Sequence, residues 1–222
     1  MNLFRKTFFI ILFTLLIDHI LKIYVKTHFK LGGIFPLFSF FWIVFIENPG
    51  MAYGMLLGKG YYGKILLSVI RFFLIIIISF FHFKIIKKLE KEKKKKEYLI
   101  IPTSLILSGA IGNFLDSALY GSFFDKGTIY NKENQKWMPY SGISRIIFGK
   151  ESGYATFMEG CVVDLFFFHI KNFHIPGYIP FFGGDQVQFF QTVFNFSDVI
   201  IFIGIILLIF FKTKIQCYGK FF

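Results

Sequence analysis

Long apolar segments constrain this chain more than any other feature of its sequence. Four of them, at about residues 4–25, 61–86, 98–120 and 194–211, carry few charges. A helix of roughly 20 apolar residues crosses the ~30 Å hydrocarbon core of a bilayer. Hydrophobic residues make up 55% of the chain, above the about 45–50% that is usual in soluble domains. The sequence therefore predicts a membrane α-helical fold with four transmembrane helices, which we treat as a single integral-membrane domain over residues 1–222.

Positive charge indicates how these helices are oriented. The net charge is +12, and eight lysines lie between Lys84 and Glu97, in and beside a Lys-rich hinge over residues 87–97. Short loops rich in Lys and Arg remain in the cytoplasm, and basic clusters beside a span attract anionic lipid. We therefore expect membrane lipid, and not nucleic acid, to be the partner of this cluster. We also expect both termini to be cytoplasmic.

The same orientation places two longer regions, 26–60 and 121–193, outside the cytoplasm. The first is rich in Gly, Pro and aromatic residues, and its stretch from Phe38 to Ile46 favours β-structure. We expect a small extracytoplasmic β-sheet there, with a turn at Glu47–Gly50. The second region is expected to form an inserted extracytoplasmic loop.

Four acids converge on the outer membrane surface in this topology. Asp18 lies about 14 residues into the first span, which at 1.5 Å per residue is roughly 20 Å from its cytoplasmic end. Asp116 ends the third span, Asp198 begins the fourth, and Asp164 lies in the outer region. Two carboxylates brought close together cannot both ionise cheaply, so one keeps a proton while the other acts as a base. Such a pair can activate water without any cofactor.

Other functions fit the sequence less well. His169 and His174 with Asp164 could be imagined as metal ligands, but their spacing matches no strong metal-site pattern. A small membrane transporter or proton-coupled carrier would use buried carboxylates as a relay, but such carriers usually show inverted repeats and broken helices. A non-enzymatic assembly factor is a further alternative, in which the acids would be incidental.

Five motifs occur in order along the chain: DHILK at 18–22, ENPGMAYG at 47–54, SGAIGNFLD at 108–116, GCVVDLF at 160–166 and FNFSD at 194–198. Together they resemble the lipoprotein signal peptidase family (signal peptidase II), aspartyl proteases of bacterial membranes. The resemblance implies a bacterial cytoplasmic (inner) membrane protein with its active site at the extracytoplasmic face. It implies removal of signal peptides from diacylglyceryl-prolipoproteins, with cleavage just before the lipidated cysteine, and no cofactor or metal. We expect a monomer.

The resemblance also assigns residues. It implies that Asp164 and Asp198 are catalytic, and that a set of polar or small residues binds substrate or supports the acids: Asp18, Lys22, Asn48, Gly50, Gly112, Asn113, Asp116 and Asn195. Asp18 and Lys22 are four residues apart on a helix, so they could neutralise each other, contact substrate, or do both.

The chain departs from the family pattern at three places. The family commonly has Arg directly after the aspartate of its GNxxD motif, where this chain has Ser117. The alanine of the family's FNxAD motif is Ser197 here. A long insert that includes residues 127–155 separates Asp116 from Asp164, and we expect it to form a flap or lid near the site.

Overall fold

A computed structural model describes residues 2–51, 55, 58, 60–91, 97–148, 152–169, 173–174, 186–187 and 192–211. The described residues contain four α-helices: α1 (Leu3–His28), α2 (Gly60–Lys91), α3 (Glu97–Phe123) and α4 (Phe196–Phe210). The first three are long and apolar enough to cross a membrane, which confirms a helical membrane fold at the predicted positions. Helix α4 has 15 residues, or roughly 22 Å at 1.5 Å per residue. A fourth crossing over 194–211 therefore stays a prediction.

The first helix is polar inside and apolar outside, as a helix in lipid should be. Asp18, Lys22 and Lys26 are completely buried, and their spacing of four residues puts all three side chains on one face. The other faces expose large apolar side chains such as Phe13 and Ile20. Lipid solvates these apolar side chains, while the buried charges must find partners within the protein.

Helix α3 lies at the centre of the bundle and contacts each of the other three helices. Small residues of α3 allow close helix packing. A side chain at Gly109 would collide with the backbone of Ser197, and one at Gly112 would collide with the Ser197 side chain. These glycines therefore let α4 approach α3 at the level where the predicted site residues lie.

Short strands connect the helices. In chain order they are β1 (Ile34–Pro36), β2 (Phe41–Asn48), β3 (Ile129–Asn131), β4 (Lys136–Met138), β5 (Val162–Phe168), β6 (Phe173–His174) and β7 (Gln186–Val187). The strands β1, β2 and β5 form an antiparallel sheet in that order, while β3–β4 and β6–β7 form two-stranded pairs. The prediction of a small sheet is confirmed.

The predicted turn at Glu47–Gly50 starts too early. Glu47 and Asn48 are the last two residues of β2 and pair with Val163 and Val162. The buried Glu47 carboxylate forms an ion pair with Lys26 and accepts a hydrogen bond from the backbone N–H of Thr128. These interactions keep Glu47 in the strand, so the chain turns only after Asn48.

The same ion pair attaches the insert to the rest of the protein. Lys26 Nζ also donates to the carbonyl oxygen of Lys126 at 2.9 Å. It lies 4.9–5.2 Å from the centroids of three aromatic rings of the insert and its approach: Phe124, Tyr140 and Tyr154. Cation–π contacts of this kind are stronger in a desolvated environment. The described part of the insert is therefore packed against α1 and β2.

Candidate active site

A cavity of about 310 Å³ lies where the sheet meets α2, α3 and α4. Six of the ten predicted site residues line it: Asn48, Gly50, Asn113, Asp164, Asn195 and Asp198. The other four, Asp18, Lys22, Gly112 and Asp116, do not. The described residues of the insert, 127–148 and 152–155, do not line the cavity either, so its expected role as a lid finds no support in these residues.

Backbone hydrogen bonds bring the two predicted catalytic acids together. Asp164 lies in the middle of β5, and Asp198 lies in the first turn of α4. Phe194, two residues before that helix, bonds along the edge of β5: its N–H donates to Phe166 O at 2.9 Å, and its carbonyl accepts from Leu165 N at 3.0 Å. The start of α4 is therefore fixed to the strand that carries Asp164.

Two asparagine side chains hold the carboxylate of Asp164. Asn195 Nδ2 donates to Oδ1 at 2.7 Å, and Asn48 Nδ2 donates to Oδ2 at 3.1 Å. Burial and the nearby negative charge of Asp198 raise the pKa of the Asp164 carboxyl to about 7, although the two amide donors act in the opposite direction. This carboxyl group can therefore keep or release a proton near neutral pH.

Asp198 is held by a capping box at the start of α4. The Asn195 side chain accepts from Asp198 N at 3.0 Å, and the Asp198 carboxylate accepts from Asn195 N at 3.2 Å. Asn113 Nδ2 donates to the other carboxylate oxygen at 2.7 Å. A negative charge in the first turn of a helix is also stabilised by the helix dipole. Asn195 thus contacts both acids, Asp164 through its side chain and Asp198 through its backbone.

A buried ion cluster lies outside the cavity wall. Lys22 Nζ is 2.7 Å from Asp18 Oδ2 and 2.7 Å from Asp116 Oδ2. Asp18 Oδ1 accepts from Ser197 N at 2.9 Å, which ties the cluster to α4. This arrangement favours the neutralising role of Asp18 and Lys22 over direct substrate contact. Lys22 is therefore the ion-pair partner of both Asp18 and Asp116.

The structure does not favour either candidate metal site. Asp18, His19 and Asp116 have ligand atoms close enough to share an ion, but the Lys22 ammonium already lies between the two carboxylates. The His169 ring stacks on Trp42 at 4.0 Å between centroids. The side chain of His174, which was considered as a metal ligand together with His169 and Asp164, lies outside the described residues.

One charged residue of the cavity wall, Arg71, was not among the predicted site residues. Arg71 lies in α2 and lines the cavity, where its guanidinium donates to Gly50 O and to Ser117 Oγ. The signal was present in the sequence, because an ionisable residue inside an apolar segment marks a functional site by default. Its partners, however, lie on other elements and could not be identified from spacing.

Comparison with known proteins identifies the family. The sequence model described as "Signal peptidase (SPase) II" matches residues 10–214. This chain belongs to the signal peptidase II family. The lipoprotein signal peptidase of Porphyromonas gingivalis (strain W83) is 36% identical over 200 residues, covering 90% of this chain and 79% of the relative. The lipoprotein signal peptidase of Amoebophilus asiaticus is 30% identical over 207 residues, covering 92% and 76%.

Solved structures show the same fold. A bacterial membrane enzyme determined by the in meso method at 2.3 Å resolution superposes with a TM-score of 0.56 at 22% identity, covering 98% of this chain and 93% of that one. A second, at 1.9 Å resolution, gives 0.54 at 23% identity. Family membership and the three long apolar helices identify a bacterial, multi-pass inner-membrane protein of a protease family that processes lipoproteins.

Proposed function

We propose that this signal peptidase II family member is an aspartyl endopeptidase. It removes the signal peptide from diacylglyceryl-modified prolipoproteins and cleaves just before the lipidated cysteine. The observation that carries the proposal is the joint presence of Asp164 and Asp198 in one cavity, with Asn195 bonded to both. Two carboxyl groups held in one site by shared donors are suited to acid–base activation of water.

The environments of the two acids suggest different roles. Asp164 has the raised pKa and enters the reaction with its proton. Asp198, which accepts hydrogen bonds from Asn113 and from the Asn195 backbone, acts as the base. It takes a proton from water as the water oxygen attacks the peptide carbonyl carbon, while Asp164 donates a hydrogen bond to the developing oxyanion. The proton taken from water then passes to the leaving nitrogen.

The composition of the cavity wall is consistent with a substrate that lies in the membrane. Three apolar residues of α4, Ile201, Phe202 and Ile205, continue the wall away from the acids, and Phe202 is 65% exposed. A lipid-attached substrate would place its acyl chains and signal helix in the bilayer, and the scissile bond at the carboxyl groups. In this proposal the cavity lies at the extracytoplasmic edge of the membrane, with both termini in the cytoplasm.

A small transporter using the acids as a proton relay is the alternative. Family membership disfavours a transporter. In addition, Asp198 lies at the start of α4 and Asp164 lies on a strand, so neither is in the middle of a long helix.

The proposal is tested with the purified full-length protein and a diacylglyceryl-modified prolipoprotein in detergent or lipid bilayers. Mass spectrometry should find a product whose N-terminus is the lipidated cysteine. The same precursor without the lipid, or with Ala in place of the cysteine, should remain uncut. The proposal fails if the folded protein leaves the modified precursor intact, or cuts all three precursors equally.

A further inference from the structure

Arg71 lies far inside an apolar helix, and its guanidinium makes two directed hydrogen bonds at the cavity. Nη1 donates to Ser117 Oγ at 2.9 Å, and Nη2 donates to the carbonyl oxygen of Gly50 at 3.0 Å. A guanidinium presents its donors in a rigid planar fork, so it fixes the relative positions of two acceptors better than an ammonium group does. Arg71 therefore connects α3 to the turn that follows β2.

That turn carries one of the donors to the catalytic pair. Asn48 Oδ1 accepts from Gly50 N at 2.9 Å, and Asn48 Nδ2 donates both to Met51 O at 3.0 Å and to Asp164 Oδ2 at 3.1 Å. Arg71 donates to the carbonyl oxygen of the same residue, Gly50. Gly50 is thus held by Asn48 through its N–H and by Arg71 through its carbonyl. The position of the Asn48 side chain therefore depends on Arg71 as well.

Ser117 is the acceptor that makes the second Arg71 bond possible. It is completely buried and accepts hydrogen bonds from Arg71 and from Lys64 Nζ, the latter at 3.0 Å. Its own hydroxyl donates to the carbonyl of Asn113 at 3.4 Å. An arginine at position 117, as in the common family pattern, would add a third cation beside Lys64 and Arg71. Serine at 117 and arginine at 71 therefore complement each other.

We propose that Arg71 is a positioning residue, which holds the Asn48–Met51 turn against the acid pair and supplies from α2 the cation that the family motif places directly after Asp116. The proposal rests on the proposed protease function. Both bonds of Arg71 go to protein groups, so its loss should disturb the alignment of the reacting groups more than the affinity for substrate.

The test measures kcat and KM for cleavage of the modified precursor by four variants: Arg71→Ala, Arg71→Lys, Ser117→Arg and the double variant Arg71→Ala/Ser117→Arg. Arg71→Ala should lower kcat by about a hundredfold, the effect of a displacement of roughly 1 Å at the reacting groups, with a much smaller change in KM. Arg71→Lys should recover part of the loss. Ser117→Arg alone should have a lower kcat, because it adds a third cation beside Lys64 and Arg71. The double variant should have a higher kcat than Arg71→Ala, because the arginine introduced on α3 replaces the lost guanidinium.

Arg5→Ala is the matched control, because Arg5 is exposed near the start of α1 and should not affect kcat. Unchanged kcat in Arg71→Ala would overturn the proposal, and so would a folded double variant no faster than Arg71→Ala. If Arg71→Ala does not fold, Arg71→Gln with and without Ser117→Arg provides the same comparison. Asp198→Asn is measured in parallel, since its retained activity would refute the aspartyl mechanism independently of Arg71.

Discussion

The side-chain amide of Asn195 donates to Asp164 Oδ1 at 2.7 Å, although the two residues are 31 positions apart in the chain. Asn195 is completely buried and is also the N-cap of α4, whose first turn carries Asp198. One residue therefore sets the start of a helix and the orientation of both acids. This relationship explains why a short apolar helix and a strand of a small sheet meet at one cavity.

Replacing Asn195 should separate its two roles. Asn195→Ala removes the cap and the donor to Asp164, so we expect lower thermal stability, by about 0.5–2 kcal/mol for the cap, together with a large loss of kcat. Asn195→Ser retains a capping hydroxyl but lacks the amide. Its melting temperature should therefore return towards that of the wild-type protein, while its kcat should stay as low as that of Asn195→Ala. Asn134→Ala, at an exposed position after β3, is the control. Full kcat in Asn195→Ser would contradict this account.

Removing Lys22 should destabilise the protein, and it also removes the hydrogen bond that Lys22 Nζ donates to Asn113 Oδ1 of the cavity wall at 3.3 Å. Lys22→Met leaves Asp18 and Asp116 as buried carboxylates without their counter-ion, which typically costs about 3–5 kcal/mol. The measurement is the free energy of unfolding in detergent. Lys30→Met, at an exposed site two residues after α1, should change it very little. A similar stability for both variants would show that Lys22 is not needed to balance the two acids.

The pH dependence of cleavage should reflect the proton on Asp164. Its pKa is raised to about 7, so activity should fall as pH rises above that value and the proton is lost. The amide of Asn48 favours the ionised form of Asp164 and so lowers its pKa. Asn48→Ala should therefore move the alkaline limb of kcat/KM to higher pH, at a lower maximal rate. A shift of this limb to lower pH would contradict the assignment.

The same carboxyl group should make stability depend on pH. Because the pKa of Asp164 rises from 3.8 to about 7 on folding, the folded protein retains a proton that the unfolded chain releases in this window. Its contribution to stability is thus fully present below pH 3.8 and lost as pH rises through 7. The side chain at position 164 cannot ionise in Asp164→Asn. The melting temperature of this variant minus that of the wild-type protein should therefore be larger near pH 8 than near pH 4. A difference that does not vary with pH would contradict this.

The sequence predicted the long helices well and the connections between elements poorly. The apolar runs determine α1, α2 and α3 to within a few residues, because lipid requires long uninterrupted helices. The pairing of Phe194 with Phe166, which brings Asp198 to Asp164, has no periodic signal in either segment. The partners of Lys26, Lys64 and Arg71 were likewise not predictable, because each buried cation bonds to residues on other elements, such as Ser117, which is 46 positions from Arg71.

The most direct test of the acid pair replaces each member without changing its shape. Cleavage of a diacylglyceryl-modified prolipoprotein is measured for Asp164→Asn and Asp198→Asn, with Asp125→Asn as a matched control, since Asp125 bonds Ser144 and Arg145 instead of lining the cavity. We expect both cavity variants to fold and to lose cleavage, while Asp125→Asn retains it. Retained cleavage in the folded Asp164→Asn and Asp198→Asn proteins would contradict the aspartyl mechanism.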